Sequence, residues 1–485
     1  MDLNHQKILI VGLGISGIAA ARFAKKKGAS VTVTDMADEK ELGAYASMVH
    51  KLGVNMELGN HNIETFVGAD LIVVSPGVPL TILPIKRAMA KGIPIVGEFE
   101  LAARHIREPV IAVSGTNGKT TTTALLGKML EKSGFKVFVG GNIGNPLIDY
   151  ADREETSDVV VAEVSSFQLD TIDTFKPRVG VLLNITDDHL DRYPDFNSYA
   201  RSKGRLFENQ QQSDSAVING SDPVIRSVTK DLRARKLIFC HQENSQAKTK
   251  KNAVIRRGNS TTPANITIRM KENKEISLDL SGTNLIGRHN LENAAAASLA
   301  AIDVGGTPEG VQSALNDFKG LPHRTEYIST LNHVRFFDDS KATNVDAVIK
   351  ALETFDEPIV LIMGGRDKGG DFHKLLEPVR QHIKKLIVMG EAKEKIRSVL
   401  EEVCRESVQT ASTMEDAVLS AYRAASPGDI VLLSPACSSF DMYSSYAERG
   451  EDFRRVIDNL KEVKRVKNPG PKDQALVCPR GDLLY

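Results

Sequence analysis

Again and again along this chain, a short run rich in valine, isoleucine and leucine stops at a turn of glycine, serine or aspartate. A stretch with helical spacing then follows. "KILIV" at 7–11 leads into "GLGISG" and a helical segment over 17–27, "SVTVTD" at 30–35 reads as the next strand, and "DLIVVSPGVP" at 70–79 as a later one. "PVIAVSGTNGKTTT", "DVVVAEVSSFQL" and "VGVLLNITDDHLDR" repeat the pattern, as do "VRFFDDSKATN", "PIVLIMGGRDKGGDF", "KLIVMG" and "DIVLLSPACSSFD". Strands this apolar, alternating with helices, predict an α/β fold of parallel sheets covered by helices. In such sheets ligands bind beyond the carboxyl ends of the strands, where these polar turns fall. The pattern restarts near residue 98 and again after "GLPHRTE" at 320–326. That predicts domains over 1–98, 99–321 and 322–466, with a loosely ordered tail over 467–485. The polar, basic stretch 241–263 lacks apolar periodicity and is expected to be an exposed loop.

Composition narrows the class. The 62 basic and 62 acidic side chains cancel, so no overall field favours nucleic acid or an anionic membrane. No run approaches the roughly 20 apolar residues that span a bilayer, and the amino terminus enters a strand pattern without a signal-like region. Cys240, Cys404, Cys437 and Cys478 form no C-x-x-C pair, which fits a reducing compartment and no thiolate metal site. The expectation is a soluble cytoplasmic protein.

Two glycine-rich turns carry the chemistry. In "GLGISG" the glycines at 12, 14 and 17 permit a tight turn and close approach of a diphosphate to a helix N-terminus, and Asp35 ends the next strand. NAD, FAD and a nucleotide-sugar diphosphate all fit this pattern, and so does plain tight packing. In "GTNGKTTT", Gly115, Thr116, Asn117 and Gly118 can turn backbone N–H groups toward one anion. Lys119 adds charge, and Thr120 or Thr121 can hold Mg²⁺. The usual outer glycine is replaced by Val113, which shortens the loop without removing any of these parts.

Three further stretches are ambiguous by themselves. Glu163, inside the apolar strand of "VAEVSSFQL", needs a partner, either Mg²⁺ near the phosphate loop or structural hydrogen bonds. Asp187, Asp188, His189 and Asp191 offer oxygen ligands and one imidazole, suited to Mg²⁺ or Mn²⁺, or else form a solvated turn. Lys341 with Ser340, Thr343, Ser438 and Ser439 can hold a substrate carboxylate, or simply close ordinary strand-end turns. Cys437 has no base nearby in sequence to activate it.

In combination, "GTNGKTTT", "GGNIGNPL", "EVSSFQL", "DDHLDR", "GLPHR" and "DSKATN", in this order over residues 7 to about 460, resemble the ATP-dependent Mur ligase family of peptidoglycan synthesis. The resemblance implies three domains: an N-terminal Rossmann-like parallel sheet, a central P-loop ATPase domain and a C-terminal Rossmann-like domain. It implies ATP as co-substrate, Mg²⁺ at two sites, and the small-molecule substrates UDP-N-acetylmuramoyl-L-alanine and D-glutamate. It also implies a cytoplasmic monomer that engages neither nucleic acid nor membrane.

By position, the resemblance assigns Gly14, Ile15, Ser16, Asp35, Ser75, Pro76 and Gly77 to the UDP pocket, with Asn142 and His189 facing the same substrate. It assigns the loop Gly115–Thr121 to ATP, together with Asn293, His323, Arg324 and Asp339. Thr120, Glu163, His189 and Lys203, the last as a carbamate, become metal ligands. Lys119, His189, Lys203 and Arg324 become the catalytic set. Lys341, Thr343, Ser439 and Tyr446 are assigned to D-glutamate. Met36 and Ala37 depart from the more polar pair expected after Asp35. The implied reaction phosphorylates a carboxylate and lets an amine attack the acyl phosphate. Alternatives are a Mur-type ligase that adds another amino acid, a P-loop ATPase or binding protein without ligase activity, and a nicotinamide dehydrogenase built on "GLGISG".

Overall fold

The computed structural model describes residues 1–485 apart from 189–191, 243–251, 257–263, 271–274, 284, 286, 405–407 and 468–485. The chain divides into two compact units, Met1–Lys319 and Gly320–Tyr485. Among the described residues the strands form three sheets.

The first sheet contains β1 (Lys7–Val11), β2 (Ser30–Asp35), β3 (Asn55–Leu58), β4 (Leu71–Val74) and β5 (Ile95–Gly97), in the order β3-β2-β1-β4-β5 and parallel throughout. Side chains alternate along β1. Ile8 and Ile10 join the core under the helix Ile15–Lys26, while Leu9 and Val11 pack with Ile85 of the helix Leu83–Ala90 on the other face. A strand buried on both faces must be apolar at every position, which is why "KILIV" shows no alternation. The helix after β1 starts at Ile15, ahead of the predicted 17. Gly17 lies inside the first turn, where a Cβ would come within 2.0 Å of the Gly12 carbonyl oxygen.

The second sheet is built from β6 (Val110–Ser114), β7 (Val137–Gly141), β8 (Val159–Glu163), β9 (Val179–Leu182), β10 (Ser215–Asn219), β11 (Arg235–His241), β12 (Ala253–Arg256), β13 (Asn265–Arg269) and β14 (Glu275–Asp279). Its order is β14-β13-β12-β11-β10-β9-β6-β8-β7, antiparallel only at β12–β13 and β13–β14. The strand β12 corrects the expected loop over 241–263. Ala253 and Ile255 are buried in the sheet, and four residues are too few to show alternation within a polar stretch. The other residues of that stretch from 243 on, apart from Asn252, lie outside the described residues, and so does nearly all of the predicted tail.

The second unit carries β15 (Glu326–Leu331), β16 (Val334–Asp338), β17 (Ile359–Gly364), β18 (Ile383–Met389), β19 (Gln409–Thr410) and β20 (Ile430–Leu433). The order is β15-β16-β20-β17-β18-β19, and only β15–β16 is antiparallel. The carboxyl ends of β16, β20 and β17 therefore lie side by side.

Where the first sheet gives way to the second, Glu98 opens the helix Glu98–Ala103 and is 1% exposed. The Ile148 N–H donates to its Oε1 at 2.7 Å, while Oε2 has no hydrogen-bond partner among the described residues. Burial pushes this carboxyl from 4.5 up to about 7. The folded chain thus keeps a proton that the unfolded chain releases above 4.5. Stability is full below that value and falls as pH rises toward 7, ending with a cost of order 3 kcal/mol. Glu98→Gln should raise the urea midpoint more at pH 8 than at pH 5. Equal gains at the two values would refute this account.

Candidate active site

The order in which successive strands are added reverses at β1, with β2 and β3 on one side and β4 and β5 on the other. The turns after β1, β2 and β4 line a cavity of about 600 Å³ at this point. Gly14, Ile15, Ser16, Asp35, Ser75, Pro76 and Gly77 all line it. Asp35 braces the glycine turn: Leu13 N–H donates to one carboxylate oxygen at 2.6 Å and Ala37 N–H to the other at 2.9 Å. Ser75 Oγ donates to the Gly12 carbonyl at 2.8 Å. Met36, Tyr45, His61 and Ile82 line the cavity as well. No local motif pointed to Tyr45, His61 or Ile82, which reach the cavity only through the packing of β2, β3 and the helices. His61 bonds Thr34 Oγ1 at 3.0 Å, and burial lowers its pKa against the opposing pull of Asp35. Asn142 does not line this cavity, and His189 lies outside the described residues.

The second sheet switches in the same way at β6, with β8 on one side and β9 on the other. The loop after β6 takes φ +155° at Gly115 and +85° at Gly118, conformations that side chains resist. The segment after β9 holds it open. Thr116 N–H donates to Asn184 O at 2.9 Å, Asn117 N–H to Asn184 Oδ1 at 2.8 Å, and Asn184 Nδ2 to Asn117 O at 3.0 Å. Thr116 Oγ1 lies 3.1 Å from Tyr199 Oη. Asn184, within "NITDDHLDR", was readable as part of a strand-end turn but not as the brace of this loop. The helix Lys119–Lys132 then begins, with Thr120 and Thr121 in its first turn. Its N-terminus and Lys119 form an anion site of the kind that holds nucleotide phosphate. Lys119 Nζ donates to Gly115 O and Thr116 O, at 2.9 and 2.8 Å.

Residues far apart in sequence gather around this loop. Glu163 lies beside Val113 in register. Its Oε1 accepts from Asn142 Nδ2 at 2.8 Å, and its buried Oε2 has no hydrogen-bond partner among the described residues. Lys203 is 2% exposed and donates to Gly115 O at 2.8 Å. Burial, then the charge of Lys119, hold its amine well below the ordinary lysine range, against the opposing pull of Asp188 and Glu163. Asn293, on the helix Arg288–Asp303, packs so closely that a Cβ on Gly118 would lie 2.3 Å from its Oδ1. A half-satisfied buried carboxylate beside a phosphate loop fits a Mg²⁺ ion, which takes carboxylate and phosphate oxygens together.

The second unit has its own cluster. His323, at φ +61°, bonds Asp338 Oδ2 through Nδ1 at 2.7 Å, and that bond raises its pKa. Asp339 is buried, accepts from Ser434 Oγ at 2.9 Å and Thr325 N–H at 3.1 Å, and is pushed up to about 7 by burial. Lys341 Nζ stands 3.6 Å from the centroid of the Tyr446 ring. Thr343 precedes the helix Val345–Leu352, and Ser439 sits buried in the turn after β20. Burial pushes the Cys437 thiol up to about 12, so it supplies no thiolate nucleophile.

Two glycine turns at two switch points, one of them a phosphate loop with an acidic residue at hand, define a nucleotide-binding α/β enzyme. Models of the Mur ligase MurD-like N-terminal domain, the Mur ligase middle domain and the Mur ligase glutamate ligase domain match residues 6–97, 113–301 and 323–437. The UDP-N-acetylmuramoylalanine–D-glutamate ligase of Desulfosudis oleivorans is 51% identical over 462 residues, covering 95% of this chain and 98% of its own. That of Desulfatibacillum aliphaticivorans is 51% identical over 460 residues, covering 95% and 100%. Among solved structures, UDP-N-acetylmuramate-alanine ligase from Thermotoga maritima shares the fold at TM-score 0.57 and 21% identity, covering 95% of this chain and all of its own. The chain belongs to the Mur ligase family and is an ATP-dependent, amide-bond-forming ligase. Among the described residues no helix is long and apolar enough to cross a membrane.

Proposed function

We propose that this ligase joins D-glutamate to the carboxylate of UDP-N-acetylmuramoyl-L-alanine, in the cytoplasmic synthesis of peptidoglycan precursors. The observation that carries the reading is the pair of glycine turns within one compact unit, the Asp35-braced turn lining a cavity beyond β1 and the Asn184-braced turn opening a helix beyond β6. A nicotinamide dehydrogenase leaves the second turn without work, and a simple ATPase leaves the first. The relatives at 51% identity carry the name of this reaction.

A carboxylate is a poor acyl donor because its leaving group is oxide. Transfer of the terminal phosphoryl of ATP to it creates an acyl phosphate. The amine of D-glutamate then attacks the acyl carbon, and phosphate leaves with the bonding pair. Residues Gly115–Thr121 and Asn293 hold ATP in this proposal, and within the second unit His323, Arg324 and Asp339 are proposed as nucleotide contacts. Lys119 places its positive charge on the transferring phosphoryl group. Gly14, Ile15, Ser16, Asp35, Ser75, Pro76 and Gly77 anchor the UDP group, and Asn142 and His189 are proposed for the same substrate. Lys341, Thr343, Ser439 and Tyr446 hold D-glutamate. Thr120, Glu163, His189 and, as a carbamate, Lys203 would hold Mg²⁺, which would neutralise charge at the phosphates. The depressed basicity of Lys203 supports its conversion to a carbamate, since a neutral amine can take up carbon dioxide with loss of a proton.

The test is product mass with Mg-ATP, each candidate UDP precursor and each amino acid. Phosphate release should require both UDP-N-acetylmuramoyl-L-alanine and D-glutamate. Release with either one alone, or a product carrying another amino acid, would overturn the proposal.

A further inference from the structure

Arg449 lies one turn into the helix Tyr446–Lys467 and is 2% exposed. Its Nε donates to Ser340 Oγ at 2.9 Å. Nη2 donates to Ser340 O at 2.8 Å and to Cys437 O at 3.1 Å, and Nη1 donates to Gly364 O at 3.3 Å. All four bonds end on uncharged oxygens. A guanidinium buried on such partners loses its hydration without gaining a contact ion pair among the described residues, and burial lowers its pKa to about 10. Packing alone would be served more cheaply by an apolar side chain, so the planar fork needs another reason.

The acceptors supply it. Ser340 follows β16, Gly364 ends β17 and Cys437 follows β20, three adjacent strands of one sheet. Ser340 precedes Lys341, Cys437 stands two residues before Ser439, and Ser340 Oγ donates onward to the Tyr446 carbonyl at 2.8 Å. The same turns interlock through their backbones: Ser438 and Arg366 exchange N–H···O bonds of 3.0 and 2.9 Å, and Ala436 N–H donates to Ala342 O at 2.9 Å. Gly365, at φ +133°, leaves room for the fork, since a Cβ there would lie 3.1 Å from Arg449 Nη1.

We propose that Arg449 is a positioning residue for the amino-acid substrate, drawing three strand-end turns onto one planar cation and so setting the spacing of Lys341, Ser439 and Tyr446. The inference rests on the assignment of those three to D-glutamate. A lysine keeps the charge but not the fixed directions of the donors.

Steady-state kinetics on the full chain separate the two levels. Lys341→Ala tests the assignment and should raise the KM for D-glutamate by about 10-fold or more, the scale of losing a charged contact. Arg449→Lys should raise the same KM by about 10-fold. The KM values for ATP and the UDP precursor should stay within about 2-fold, as expected for an effect confined to one subsite. Arg449→Ala should be worse, and millimolar methylguanidinium should restore its D-glutamate KM. An unchanged KM in Lys341→Ala sinks the assignment and the proposal with it. A raised KM there, with D-glutamate KM unchanged in Arg449→Lys or all three KM values rising together, sinks the proposal alone. If Arg449→Lys does not fold, Arg449→Ala decides: methylguanidinium that restores the thermal transition without restoring the D-glutamate KM overturns it.

Discussion

Lys119→Ala is expected to lower turnover by about 10²-fold or more, the loss of one preorganised charge at a transferring phosphoryl group. The side chain is only half-buried and bonds two carbonyls of its own loop, so its removal should move the melting temperature little. The loop is held by other bonds, those from Asn184 and Thr116. Lys51→Ala, on an exposed helical position, serves as the control and should leave turnover within experimental scatter. ADP formation measured with both variants checks this. Equal, small effects would remove the phosphate-holding role from the loop.

The second large effect falls on Glu163. Glu163→Gln keeps the shape and can still accept from Asn142 Nδ2 through its amide oxygen. It removes the charge and turns the oxygen that lacks a partner into a donor. A donor aimed at the proposed Mg²⁺ site would repel the ion, so turnover should fall by about 10²-fold and the Mg²⁺ concentration needed for half activity should rise. The melting temperature without metal should stay or increase, because the buried negative charge is gone. A variant with normal Mg²⁺ dependence would return Glu163 to a purely structural role.

These two residues show how differently parts of the site could be read. Lys119 was legible because everything it needs lies within eight consecutive residues: glycines for the turn, the cation and the first helical turn. Glu163 was suspect because a carboxylate inside "VVVAEV" has no water to turn to. Which of its oxygens is satisfied, and by Asn142, depended on β7 pairing with β8. Gly14, Ile15, Ser16, Asp35, Ser75, Pro76 and Gly77 reach the cavity from turns marked in the sequence, whereas Tyr45 and His61 enter it from elements with no signal of their own. The strand β12 was missed because four residues carry too little alternation to outweigh a polar neighbourhood.

By itself, then, the order of residues determined what depends on neighbours along the chain: strands buried on both faces, glycine turns at their ends, a helix N-terminus ready for phosphate, and the α/β class that follows. Only the folded structure decided what depends on contact across the sheets. The order β9-β6-β8 brings Asn184 and Glu163 to the loop after β6, the burial of Lys203 lowers its basicity, and the Arg449 fork joins the three turns at Ser340, Gly364 and Cys437. Hydrogen bonds and desolvation act over a few ångströms of space, whatever the separation in sequence.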